Sequence, residues 1–297
     1  MGNETLDTWG PLATPFQTAV PEDPRPWRDN AFFCFWDPAH ELYGVAHVSG
    51  SPNADSGRRA RVTVQVGREL VEIVEPLEHG TWQSESISFE AETRLTVNHP
   101  DLSGVLAGVP LHGLATFAGD AEVATLSLDP AQPVQHHQRS ALVTGELTFR
   151  GRILAVEGAG YRDRSWGYRD ESATMREYVG LMWVFPDLSI SALKLLVPGR
   201  DPVTVGFVSG PGGAERVTGL AIHRDGSGHL SRAQVTTASG RTLDVQSTRR
   251  PATFWCPMGP DDQAGPTLSA YDQFDHLVAE GTAGIGLTEQ GILRQIV

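Results

Sequence analysis

The residues best equipped for chemistry stand together in Glu157–Asp170, EGAGYRDRSWGYRD, where three Arg, two Asp and one Glu alternate with two Tyr, one Trp and three Gly. Charges set among large rings are partly withdrawn from water, which moves their pKa values and suits them to acid/base work. Asp163 is the candidate general acid, since a carboxyl group buried among rings keeps its proton to higher pH. An Arg beside it has the opposite effect and holds it ionised. Arg164 and Arg169 are the cations that could pair with it. A guanidinium fork also suits a substrate carboxylate. Trp166, Tyr161 and Tyr168, with Trp183 and Phe185 from a later segment, offer faces to an apolar substrate and to developing positive charge. The same residues also suit a purely structural role, in which Asp163 and an Arg form an internal ion pair that pins one strand.

The elements that must position this cluster read as strands. Arg61–Val66, Ser86–Glu90, Arg94–Asn98 and Glu146–Arg150 alternate polar and apolar residues, and Gly180–Phe185, Ser189–Val197, Val203–Val208, Val217–His223 and Thr242–Gln246 continue the pattern. The 32 Gly and 20 Pro fall between these runs, as turns do. Helical pattern is confined to Gln263–Ala270 and to a turn or two in Ser172–Tyr178. With no βαβ rhythm, the chain is expected to be all-β, built of antiparallel strands joined by hairpins.

The 297 residues suffice for two domains of ordinary size. The break is expected after Asp129-Pro130-Ala131-Gln132-Pro133, giving an extended proline-rich arm over 1–27, a first domain over 28–138 and a second over 139–297.

Other chemistries lose support. A formal charge of −13 argues against nucleic acid. The one lysine, Lys194, lies in a strand pattern and is expected to face outward or to snorkel. Cys34 and Cys256 are far apart and read as buried thiols. His136-His137 reads as an exposed linker pair, since strand neighbours point apart and no third ligand is spaced nearby; no metal is expected. Asp261-Asp262 reads as a solvated loop, and nucleophile-elbow, HExxH and dinucleotide motifs are lacking. No run approaches a membrane span and the first residues do not resemble a secretory signal, so a cytoplasmic protein without integral membrane association is expected.

Gly160-Tyr161-Arg162-Asp163-Arg164-Ser165-Trp166-Gly167-Tyr168-Arg169 resembles the signature G-x-x-D-[HR]-S/x-W-G-x-R of the superfamily that contains hydroxyneurosporene synthase (carotenoid 1,2-hydratase) and AttH-like lipocalin-type proteins. Asn30–Asp37 is similar to the superfamily's opening strand, and Gly284-Ile285-Gly286-Leu287-Thr288-Glu289 to its closing G-x-G-x-x-E strand. The resemblance implies two consecutive lipocalin-like antiparallel β-barrels, or strongly curved sandwiches. It also implies a cofactor-independent hydratase, dehydratase or cyclase acting on an apolar terpenoid or polyketide-like molecule. Asp163, Trp166 and Arg164 would then be catalytic, with Tyr161, Tyr168, Arg169, Trp183 and Phe185 binding substrate. Arg164 stands where carotenoid hydratases commonly carry His. A carrier that binds an apolar ligand without transforming it is the alternative.

Overall fold

The computed structural model describes residues 9–17, 22–50, 59–77, 81–90, 94–124, 126–257 and 267–294. The chain divides into two compact units, Met1–Leu111 with Val134–Arg169, and His112–Pro133 with Asp170–Val297. Both are all-β, as the alternation predicts.

The first unit holds β1 (Trp27–Asp37), β2 (Leu42–Gly50), β3 (Arg59–Val66), β4 (Glu69–Pro76), β5 (Ile87–Phe89), β6 (Arg94–His99) and β7 (Leu102–Pro110). After the two-residue β8 (Ala115–Thr116) of the second unit come β9 (Gln135–Phe149) and β10 (Arg152–Tyr168). The sheet order is β4-β3-β2-β1-β10-β9-β7-β6-β5, antiparallel throughout. Arg150 and Gly151, at φ 47° and 80°, form the tight turn between the two long central strands. The expected break at 138/139 falls inside β9, because β9 and β10 return to the first unit to pair with β7 and β1.

This sheet is open, where a closed barrel was one of the two forms expected. Its curl brings edge strand β5 over the centre: Phe89 lies 6.3 Å from Phe33 of β1, and the Arg162 guanidinium of β10 stacks 4.1 Å from the Phe89 ring. The two edges meet through a side chain. Glu75 of β4 accepts from Ser84 Oγ at 2.6 Å and from the Ser86 backbone N–H at 2.8 Å, just before β5. The expected extended arm is instead partly folded where it is described. Gly10–Ala13 forms a 3-10 turn, and Trp9, Leu12 and Phe16 are buried.

Among its described residues the second unit also carries two single-turn helices, α1 (Ala121–Ala124) and α2 (Glu171–Thr174), and eight long strands: β11 (Glu177–Val184), β12 (Ser189–Leu196), β13 (Val203–Gly210), β14 (Gly213–Arg224), β15 (Leu230–Thr237), β16 (Thr242–Pro257), β17 (Thr267–Ala279) and β18 (Thr282–Arg294). They close into a barrel in chain order, β18 pairing with β11. Residues 267–270, expected to be helical, open β17. The rest of that expected helix, and Asp261-Asp262, lie outside the described residues.

Side chains fill the barrel. Val179, Leu181, Trp183, Phe185, Ile190, Ala192, Val235, Val245 and Leu277 share one buried cluster. The G-x-G of β18 seats two of these rings: a Cβ at Gly284 would fall 2.4 Å from the Phe185 ring, and one at Gly286 2.4 Å from the Trp183 ring. Lys194, two residues beyond Ala192, faces inward rather than outward and donates to the Leu220 carbonyl at 2.8 Å. Asp275 is fully buried within the barrel, accepting from Ser247 Oγ at 2.6 Å and Gln273 Nε2 at 2.5 Å, with Arg250 Nε at 3.5 Å. Burial pushes its pKa up to about 6, despite these partners. Among the described residues no helix is long and apolar enough to cross a membrane.

Candidate functional site

Strand alternation divides the central motif. Along β10, residues 162, 164 and 166 point into the curl of the first unit's sheet, whereas 161, 163 and 165 point out of its convex face. The cluster that is continuous in sequence is therefore two clusters in space.

The concave set is built around Arg164. Its guanidinium pairs with Asp29 and donates to the carbonyls of Thr14 (3.1 Å), Pro15 (3.1 Å), Asn30 (3.0 Å) and Ser165 (3.2 Å). It also lies 4.8 Å from the Trp166 ring and 5.1 Å from Trp82. Burial pushes the Asp29 pKa up, against the pull of Arg164 and the Gln17 N–H. Arg162, fully buried, has its pKa pushed down to about 9 by desolvation and by Arg164. Trp166 packs on His137, ring centres 5.5 Å apart. Arg164 thus fastens the N-terminal segment into the curl, and Trp166 belongs to the same packing.

The convex set is built around Asp163. Adjacent strands place Arg61, His47, Phe32, Asp163 and Gln138 in one row across β3, β2, β1, β10 and β9. Gln138 Nε2 donates to Asp163 Oδ2 at 2.7 Å, and His136 Nε2 meets the same oxygen at 2.5 Å. Burial raises the Asp163 pKa, but His136, Gln138 and Arg169 outweigh it and hold the carboxyl below its usual range. Arg169 Nη2 donates to Ser165 Oγ at 3.0 Å, and the Asn30 amide, turned to accept from Arg169 at 2.7 Å, donates to Ser49 Oγ at 2.9 Å. His47 packs edge-on to Phe32 at 5.9 Å, and burial with Arg61 nearby drives its pKa down to about 4.

His136-His137, expected as an exposed linker pair, are instead the second and third residues of β9, one on each face. Of the remaining expected residues, Tyr161 is fully buried on the convex side, and Tyr168 packs edge-on to Trp27 at 4.8 Å beneath Arg25. Trp183 and Phe185 lie in the second unit's barrel, where Trp183 Nε1 donates to Thr288 Oγ1 at 3.1 Å. His136, Gln138 and His47 were not anticipated as partners of Asp163. The i, i+2 spacing of His136 and Gln138 is the sequence signal that they share a face, and it becomes readable only once β9 is known to start at Gln135.

A family model described as a domain of unknown function, DUF7064, matches residues 17–291. The chain belongs to the DUF7064 family. The match runs through both units and takes in Asp29, His136, Asp163 and Arg164. Among solved structures, this DUF7064 chain is similar to kievitone hydratase from Nectria haematococca, with a TM-score of 0.63, 14% identity, and 98% of this chain and 95% of that one covered. It is also similar to CghA solved with Sch210972 (TM-score 0.61, 13% identity, 94% and 95% covered). A third similar structure is a putative AttH from Nitrosomonas europaea (TM-score 0.60, 12% identity, 90% and 92% covered). No curated protein matches the chain. At these identities the likeness is one of fold, and it bears out the lipocalin-type architecture that the central motif implied.

Proposed function

We propose that the protein is a cofactor-independent enzyme of the hydratase or cyclase kind, acting on an apolar small molecule, in which His136 held by Asp163 moves the proton. The contact between His136 Nε2 and Asp163 Oδ2 carries this reading. Each of the two side chains keeps 14% of its surface exposed, so the pair is sheltered yet reachable. An acidified carboxyl was the first expectation for Asp163, but a carboxylate held below its usual range is ionised at neutral pH and cannot donate. Its role becomes that of an orienter: it accepts from Nε2–H and fixes the tautomer, and proton exchange with substrate is assigned to Nδ1.

In a hydration, imidazolium Nδ1–H gives its proton to an alkene carbon. Water then bonds to the resulting cationic carbon and returns a proton to Nδ1, so the sum is addition of one water. In a dehydration the steps run in reverse; in a cyclisation an internal π-bond bonds to the cationic carbon and the new carbocation loses a proton to Nδ1, so the sum is an isomerisation. The structures named kievitone hydratase and CghA support this class at the level of fold.

The test is a screen of isoprenoid and polyketide-like alkenes and enones by mass spectrometry, followed by His136→Gln and Asp163→Asn on any substrate turned over. Each variant should lose about 10²- to 10⁴-fold in kcat, the usual worth of a positioned proton-transfer group. Full turnover in His136→Gln removes the assignment.

A further inference from the structure

We propose that the mouth of the closed barrel in the second unit binds a small apolar molecule carrying a protonated amine. The chain leaves a cavity of about 360 Å³ there, within the range that small-molecule pockets occupy. Its floor is apolar: Phe185, Leu188, Val208, Leu243 and Ala279 line it. The floor is also rigid, because the Phe185 ring lies against the bare backbone of Gly284 and four of the five residues are buried. A preformed apolar floor of this kind binds without first having to be ordered.

The rim sets the sign of the charge. Arg241, Glu280, Asp187 and Glu215 line the same cavity. Arg241 Nη2 and Glu280 Oε2 are 2.7 Å apart and neutralise one another, which leaves Asp187 and Glu215 as the net charge of the mouth. Glu215 accepts from the Ser239 N–H at 2.7 Å, and hydrogen bonds from Ser239 hold its pKa below the usual range. With Asp187 and Glu215 beside the neutralised Arg241–Glu280 pair, the rim favours an ammonium over a carboxylate above the apolar floor. These residues all belong to the second unit and take no part in proton transfer by His136, so the proposal stands or falls separately from the function above.

Calorimetric titration of the full chain at pH 7 with octylamine, octanol and octanoate is the test. Octylamine should bind about ten-fold more tightly than octanoate, as two nearby negative charges in a partly aqueous mouth imply. Glu215→Arg should abolish that preference or reverse it, with an unchanged melting curve. Leu188→Trp, which fills the cavity, should weaken all three ligands. If that variant fails to fold, Glu215→Arg alone decides. Octanoate binding as tightly as octylamine, or a preference untouched by Glu215→Arg, overturns the proposal. So does the absence of binding by any of the three.

Discussion

Asp163 and Arg164 are neighbours in the chain, yet their side chains leave β10 on opposite faces, one toward His136 and the other toward Asp29. The ion pair that sequence places around Asp163 is thus made by the next residue, with a different carboxylate. Removing one member of a buried pair strands the other, at a cost of about 3–5 kcal/mol. Arg164→Met should lower the unfolding free energy by roughly that amount in urea titration. Asp163→Asn, which keeps an acceptor for Gln138, should cost less than about 2 kcal/mol. Equal losses in the two variants would contradict the division of roles.

His47 has its folded-state pKa depressed from 6.5 to about 4. The stability it contributes is fully present above 6.5 and is lost as pH falls through about 4, because the unfolded chain takes up the proton first. Thermal melts between pH 7 and 4 should show the wild type losing ground to His47→Gln as the solution is acidified. Parallel melting curves would mean that His47 takes up its proton as readily in the folded protein as in the unfolded chain.

Asp275 has the opposite sign. Its pKa is raised from 3.8 to about 6, so the stabilisation is present below 3.8 and is lost as pH rises through about 6. A shift of that size is worth about 3 kcal/mol. Asp275→Asn should therefore gain on the wild type by a few kcal/mol between pH 4 and 7, read from urea midpoints. A difference constant across that range would place the ionisation elsewhere.

Gly286 is a seat for Trp183. A Cβ there would stand 2.4 Å from the indole and 2.5 Å from the Met182 carbonyl, and backbone cannot swing aside as a side-chain tip can. Gly286→Ala should cost about 1–3 kcal/mol, the usual penalty for overpacking. It should also alter tryptophan fluorescence; an unperturbed melting temperature would show that the seat has slack.

The strands were legible because alternation is a local property: Arg61–Val66 and Arg94–Asn98 read as β-structure from six or five residues each. Closure was not, because it depends on pairings such as Met182 with Leu287, more than a hundred residues apart. The central motif marked the right region, but sequence spacing could not show that Arg164 reaches Asp29, nor that the chain re-enters the first unit at Val134. The place of His136 is hidden from the sequence for a related reason. The proline-rich Asp129–Pro133 signals a break, and β9 begins only two residues after it.

The bond from Glu75 across the first unit's seam has its own consequence. Where the second unit closes with a row of backbone amides between β11 and β18, the edges of the first unit's open sheet are bridged by a Glu75 oxygen bound to two donors. A ladder yields only when many bonds break together, but a latch made of a single titratable group answers to acid. Burial raises the pKa of Glu75, yet its bonds to Ser84 and Ser86 bring it below its usual value, so the latch loosens only as the solution becomes distinctly acidic.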